Sequence, residues 1–201
     1  MTMKRQLRLN RAFDSRGQSL IEVALILPLV VALVLGVVEV GYALLDEHIV
    51  TKLTREGSNM ISRDASLQDA RTALINMSSG AVNFSNGNSR MILSVIKRGG
   101  TAGTANFNQV FLYARHEYGS FAASSVLTTA GSPSFGGPPD YVAPGADSNA
   151  NLRVTNLPAN LLTVPGNMIY LTEIYSRHTL ITPLSNLGIN VPQTMRSIAY
   201  F

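Results

Sequence analysis

The chain has 201 residues, 46% of them hydrophobic, which allows one domain of ordinary size plus an anchor and excludes two full domains. Its formal charge of +4 comes wholly from residues 1–17, where Lys4, Arg5, Arg8, Arg11 and Arg16 stand against one acid, Asp14; from Gln18 onward 11 basic residues balance 11 acidic ones. A neutral body without a basic stripe releases few counterions from a phosphate backbone, which argues against nucleic acid as a partner, and the absence of cysteine excludes disulfides and thiolate chemistry.

From Leu20 to Leu45 the chain reads LIEVALILPLVVALVLGVVEVGYALL. As a helix this run is about 39 Å long, more than the roughly 30 Å of a bilayer's hydrocarbon core. It is too long for the apolar part of a cleaved secretory signal and lacks a small-x-small cleavage site, so it is expected to stay with the mature protein. The basic cluster on its N-terminal side, with Asp46 and Glu47 on the other, orients residues 1–17 to the cytoplasm and exports the body.

A membrane helix has no need of acids, and each one near the bilayer centre costs on the order of 3 kcal/mol on insertion scales. Glu22 and Glu39 therefore require reasons. For Glu39, near the end of the run, reaching the interface is one reason; assembly is the other. Glu22 is the fifth residue after Gly17, which separates the basic leader from the apolar run. Cutting after Gly17 creates an ammonium on Gln18, about 6 Å along the helix axis from the Glu22 carboxylate. A neighbouring helix displaced by a similar step pairs its amine with that carboxylate, an interaction that selects register even where desolvation offsets much of the attraction. Pro28 removes one intrahelical hydrogen bond and is expected to bend the helix between Ala24 and Pro28.

The stretch RGQSLIEVALILPLVVALVLGVVEVGYALL from Arg16 resembles the N-terminus of TadE-like proteins, minor pseudopilins of tight-adherence (Flp-type) pilus systems. The resemblance is carried by Gly17 with Glu22, by Leu27-Pro28-Leu29 and by Gly36-Val37-Val38-Glu39-Val40-Gly41, and more weakly by Glu173-Ile174-Tyr175 and Thr182-Pro183-Leu184. It implies cleavage between Gly17 and Gln18 by a prepilin peptidase and delivery of the helix to an inner-membrane assembly platform. It also implies contacts with other pilin and pseudopilin subunits, with Glu22, Glu39 and Pro28 as assembly residues.

Beyond Leu45 the helix is expected to continue in amphipathic form, with Ile49, Leu53, Met60 and Ile61 on one side and a possible break at Gly57. Ser66-Leu67-Gln68-Asp69 signals the start of a short helix ending before Gly80. Strands are predicted at Arg90–Lys97, Gln109–Tyr118, Met168–Leu180 and Thr194–Phe201. Between Gly119 and Gly166 lie six of the nine prolines, six glycines and three charges, which reads as a long loop, either a functional surface loop or a poorly ordered one.

The expected fold is thus α+β: a leader (1–17), a membrane and assembly helix (18–45), and an exported body (46–201) in which that helix packs on a small antiparallel sheet, with a loop-rich insertion at 119–166. Its three histidines, His48, His116 and His178, show no metal-ligand spacing, and no nucleophile elbow or phosphate-binding loop occurs, so neither catalysis nor a cofactor is indicated. Arg115-His116-Glu117 reads as a polar strand patch, and Tyr113-Ala114-Arg115-His116 is echoed by Tyr175-Ser176-Arg177-His178. An uncleaved, signal-anchored periplasmic enzyme or binding module stays open as the alternative. A major filament subunit does not fit the large body.

Overall fold

The computed structural model describes residues 15–78, 80, 82–157, 164–183 and 193–201. The leader residues Lys4, Arg5, Arg8 and Arg11 lie outside them, as do the side chains of Arg16 and Gln18 and all of Leu184.

Helix α1 runs unbroken from Ser15 to Ser62. It passes through Pro28, whose missing N–H costs one bond to Ala24 without ending the helix. Its second half is amphipathic, with Val50, Leu53, Thr54, Gly57, Ser58 and Ile61 buried and Ile49 and Met60 only partly so. The buried stripe thus includes small and polar residues. Thr54 satisfies its hydroxyl on the Val50 carbonyl at 2.7 Å, and Ser58 donates across to the Ala199 carbonyl at 2.9 Å.

Gly57 does not interrupt the helix. A Cβ there would lie 2.9 Å from Cγ2 and Oγ1 of Thr172 and 3.0 Å from Leu74 Cδ1, so the missing side chain lets α1 approach the sheet.

Helix α2, Leu67–Met77, starts at Ser66, whose hydroxyl oxygen accepts the Asp69 amide at 3.1 Å while its proton goes to the Asp69 carboxylate. The strands are β1 (Ser89–Arg98), β2 (Val110–Tyr118), β3 (Met168–Arg177) and β4 (Thr194–Tyr200), all antiparallel in the order β2-β1-β3-β4. Because β2 and β3 both flank β1, the two Tyr-x-Arg-His sequences are not on neighbouring strands.

Alternation along β1 divides the core between the two faces of the sheet. Met91, Leu93 and Val95, with Ile174 and Ala114, meet Val50, Leu53 and Ile61 of α1 and Leu67, Ala70 and Leu74 of α2. On the other face Ile96, Leu112, Ile169 and Leu171 are covered by Val126, Leu127, Val154 and Leu157. The described part of the Gly- and Pro-rich stretch is therefore a third, irregular layer on the sheet rather than a free surface loop. It holds two 3₁₀ turns, Ala146–Ser148 and Ala150–Leu152. It also covers the outer edge of β2, where the Ala143 amide donates to the Tyr113 carbonyl and the Val154 amide to the Val110 carbonyl, both at 2.9 Å.

Candidate functional site

Between Gly17 and Val38 none of the described side chains is buried. Leu20 and Leu25 are each 72% exposed and Leu29 70%, and these residues make no part of the body's core. This stretch is long and apolar enough to cross a membrane. Leaving such side chains in water costs about 1.5–3 kcal/mol each relative to burial, so the helix is built for lipid or for other helices. Gly17 and Glu22 lie exposed in its first turns, with nothing within 4 Å of where a Gly17 Cβ would be. Within Leu20–Val38, Glu22 is the one charged residue.

Glu39 has a different environment. Its side chain is wholly buried, although it lies within the same apolar run. After β3 ends at Arg177, residues 178–183 turn back over the helix and bring four donors to its carboxylate. His178 Nε2 donates at 2.9 Å, the Thr182 amide at 2.8 Å and the Thr182 hydroxyl at 2.5 Å, while the Ile181 amide lies 3.3 Å from both oxygens. The carboxylate's acceptor positions are thereby filled.

Two turns further along α1, Asp46 Oδ2 accepts from His178 Nδ1 at 2.6 Å. The imidazole, itself buried, therefore bridges two carboxylates. Burial acts most strongly and disfavours the imidazolium, but the hydrogen bonds and charges of Asp46 and Glu39 together outweigh it, so the His178 pKa lies above the usual histidine value. Both ring nitrogens then donate, and the sheet's end is clasped to the helix at the level where the helix leaves the body.

A second buried carboxylate, Glu173 on β3, holds the irregular layer. It accepts from the Ser125 hydroxyl at 2.5 Å, the Val126 amide at 2.7 Å and the Tyr175 hydroxyl at 3.0 Å. Arg115 reaches Ser94 and Ser125 at 3.1 and 3.0 Å. Burial holds the Arg115 pKa below its ordinary value, opposed by the charges of Glu117 and Glu173, while burial first and then Glu173 push Tyr175 up to about 12. Ser125 thus lies between a carboxylate and a guanidinium, and the cluster fastens the irregular layer to β3. Next to it, His116 stacks on Tyr141 with ring centroids 3.9 Å apart, while Glu117 pairs with Arg90 and lies 3.9 Å from Arg115. Among the described residues no group of three or more acids or histidines could hold a metal ion.

The family model described as TadE-like protein matches residues 17–59. This segment is TadE-like. No curated protein and no solved structure matches the chain. The TadE-like segment begins on Gly17 and ends inside α1, so it takes in Glu22, Pro28, Glu39 and the Gly57 close approach. TadE-like proteins are pilus-associated structural proteins, and the sheet against which this chain sets its TadE-like helix lies outside the matched residues.

Of the residues expected to act in assembly, the structure places Glu22 and Pro28 on the bare part of the TadE-like helix and Glu39 inside the body. Glu22 and Glu39 are not brought together; they stand 17 positions apart on α1, about 26 Å along the axis. Sequence reading missed His178 and Asp46 as partners of Glu39. The available signal was the coincidence of a second acid in an apolar run with a histidine near the end of a predicted strand.

Proposed function

We propose that the chain is a minor pseudopilin of a tight-adherence, Flp-type pilus system, cut between Gly17 and Gln18 by a prepilin peptidase. The single observation that supports this most is the TadE-like match starting on Gly17, at the head of a bare helix whose only charge before Glu39 is Glu22. In this reading the leader, with Lys4, Arg5, Arg8, Arg11 and Arg16, stays on the cytoplasmic face of the bacterial inner membrane, and the sheet domain is periplasmic. The peptidase exposes the Gln18 amine. The assembly platform then draws the helix among those of other pilin and pseudopilin subunits, where Glu22 meets a neighbour's amine in low dielectric and fixes the axial step between subunits.

The protein serves pilus biogenesis, and through it adhesion and secretion, by position and contact rather than by catalysis. The experiment is complementation of a pilus-negative deletion strain with Glu22→Ala and Glu22→Gln. Wild-type membrane insertion with loss of pili supports the reading. Full piliation with a neutral residue at position 22 refutes it.

A further inference from the structure

The clasp fixes a height as well as a contact. Counting from Leu20, Glu39 lies about 29 Å along α1, close to the roughly 30 Å thickness of a hydrocarbon core. A carboxylate at that level faces lipid unless something covers it. What covers it is the turn 178–183, whose Ile181 and Thr182 amides are spent on Glu39. The turn's outward face presents Ile181, whose side chain is 57% exposed, beside the exposed Thr179 and Pro183.

Around the same level the helix leaves Val38, Tyr42 and Leu45 40%, 46% and 53% exposed, and Tyr42, Leu45 and Ile181 share one groove. A contiguous apolar collar of this kind is unusual on a surface bathed in water, and a tyrosine within it suits the membrane interface. It also continues the bare helical stretch without a break. From Leu20 to Leu45 the apolar run exceeds the hydrocarbon core by about 9 Å, and Tyr42 and Leu45 of the collar lie in that excess.

We infer that the turn 178–183 is a foot seated in the outer lipid interface, which carries hydrogen-bond donors down to Glu39 and places Ile181 and the α1 collar among lipid headgroups and upper acyl chains. The body then sits directly on the bilayer instead of standing away on a linker. The inference rests on the helix spanning the membrane, as the proposed function also requires.

The natural absence of cysteine makes single-thiol labelling clean. Full-length chains carrying Val31→Cys, Ile181→Cys or Ala102→Cys are labelled with a nitroxide and placed in nanodiscs of phosphatidylethanolamine and phosphatidylglycerol. Collision with oxygen is then compared with collision with a water-soluble nickel chelate. Position 31 should favour oxygen strongly, position 181 should favour oxygen less strongly, and position 102, in the turn after β1, should favour the chelate. Tyr42→Cys reports the same collar from the helix side and replaces Ile181→Cys if that variant does not fold.

A label at 181 that behaves like the one at 102, while 31 reports lipid, overturns the foot and leaves the anchor standing. A label at 31 that favours the chelate overturns both. Spin–spin broadening at 181 with shielding from both colliders means that a second copy covers the collar, which also overturns the lipid assignment.

Discussion

Replacing Glu39 by alanine removes the acceptor for four donors at once. Among the described residues the Thr182 amide and hydroxyl and His178 Nε2 have no other hydrogen-bond acceptor, and each buried donor left unsatisfied costs about 1–3 kcal/mol. Their sum overshoots, because the turn relaxes and admits water; breaking a buried charged pair on one side typically costs about 3–5 kcal/mol, and that range is expected here. For a body of this size it corresponds to a fall in melting temperature of roughly 6 to 20 °C. Glu39→Gln keeps the shape but must turn either an N–H toward the His178 N–H or its one oxygen away from Thr182, so about half the loss is expected. The assay is thermal and urea denaturation of the full chain in detergent micelles, followed by circular dichroism in the strand region. A Glu39→Ala protein within about 1 kcal/mol of the parent would contradict the clasp as described, since the penalty for a single orphaned donor would then be absent.

Other outcomes follow from the same contacts. Gly57→Ala places a methyl 2.9 Å from Thr172 and should cost about 1–3 kcal/mol in urea denaturation, with most of the loss recovered in the Gly57→Ala, Thr172→Ala double variant. Because the His178 pKa is raised in the folded state, its pairing contributes fully below the unfolded value near ~6.5 and is lost as pH rises through the folded value. The urea midpoint should therefore fall as pH increases above about 6.5, and His178→Gln should flatten that slope. Glu173→Gln weakens charge-assisted bonds worth about 1.5–3 kcal/mol and should speed hydrogen exchange at the Val126 amide while leaving β1 amides protected.

Much of this fold is written locally. The four strands are β-branched or aromatic runs bounded by turn residues, and their ends agree with expectation to within about three residues. Ser66 and Asp69 cap α2 as their spacing indicates. The third layer was not legible, because Val126, Leu127, Val154 and Leu157 follow neither the helical nor the strand period and reach the core only through contacts such as those of Glu173. Gly57 illustrates a different limit. In sequence, a glycine that interrupts a helix and one that lets a helix approach a sheet look the same, and only the position of Thr172 separates them.

The exposed half of the candidate site, with Gly17 and Glu22 before an apolar helix, is a short motif and could be read directly. The buried half joins Glu39 to Thr182, 143 positions away, and no local pattern encodes a pairing at that distance.

Mass spectrometry of the protein extracted from its native membrane tests the central claim, because the role given to Glu22 depends on a new amine four residues before it. The mature chain is expected to begin at Gln18 and to lack the five basic residues of the leader. Mature, pilus-competent protein that still carries those residues would contradict the account.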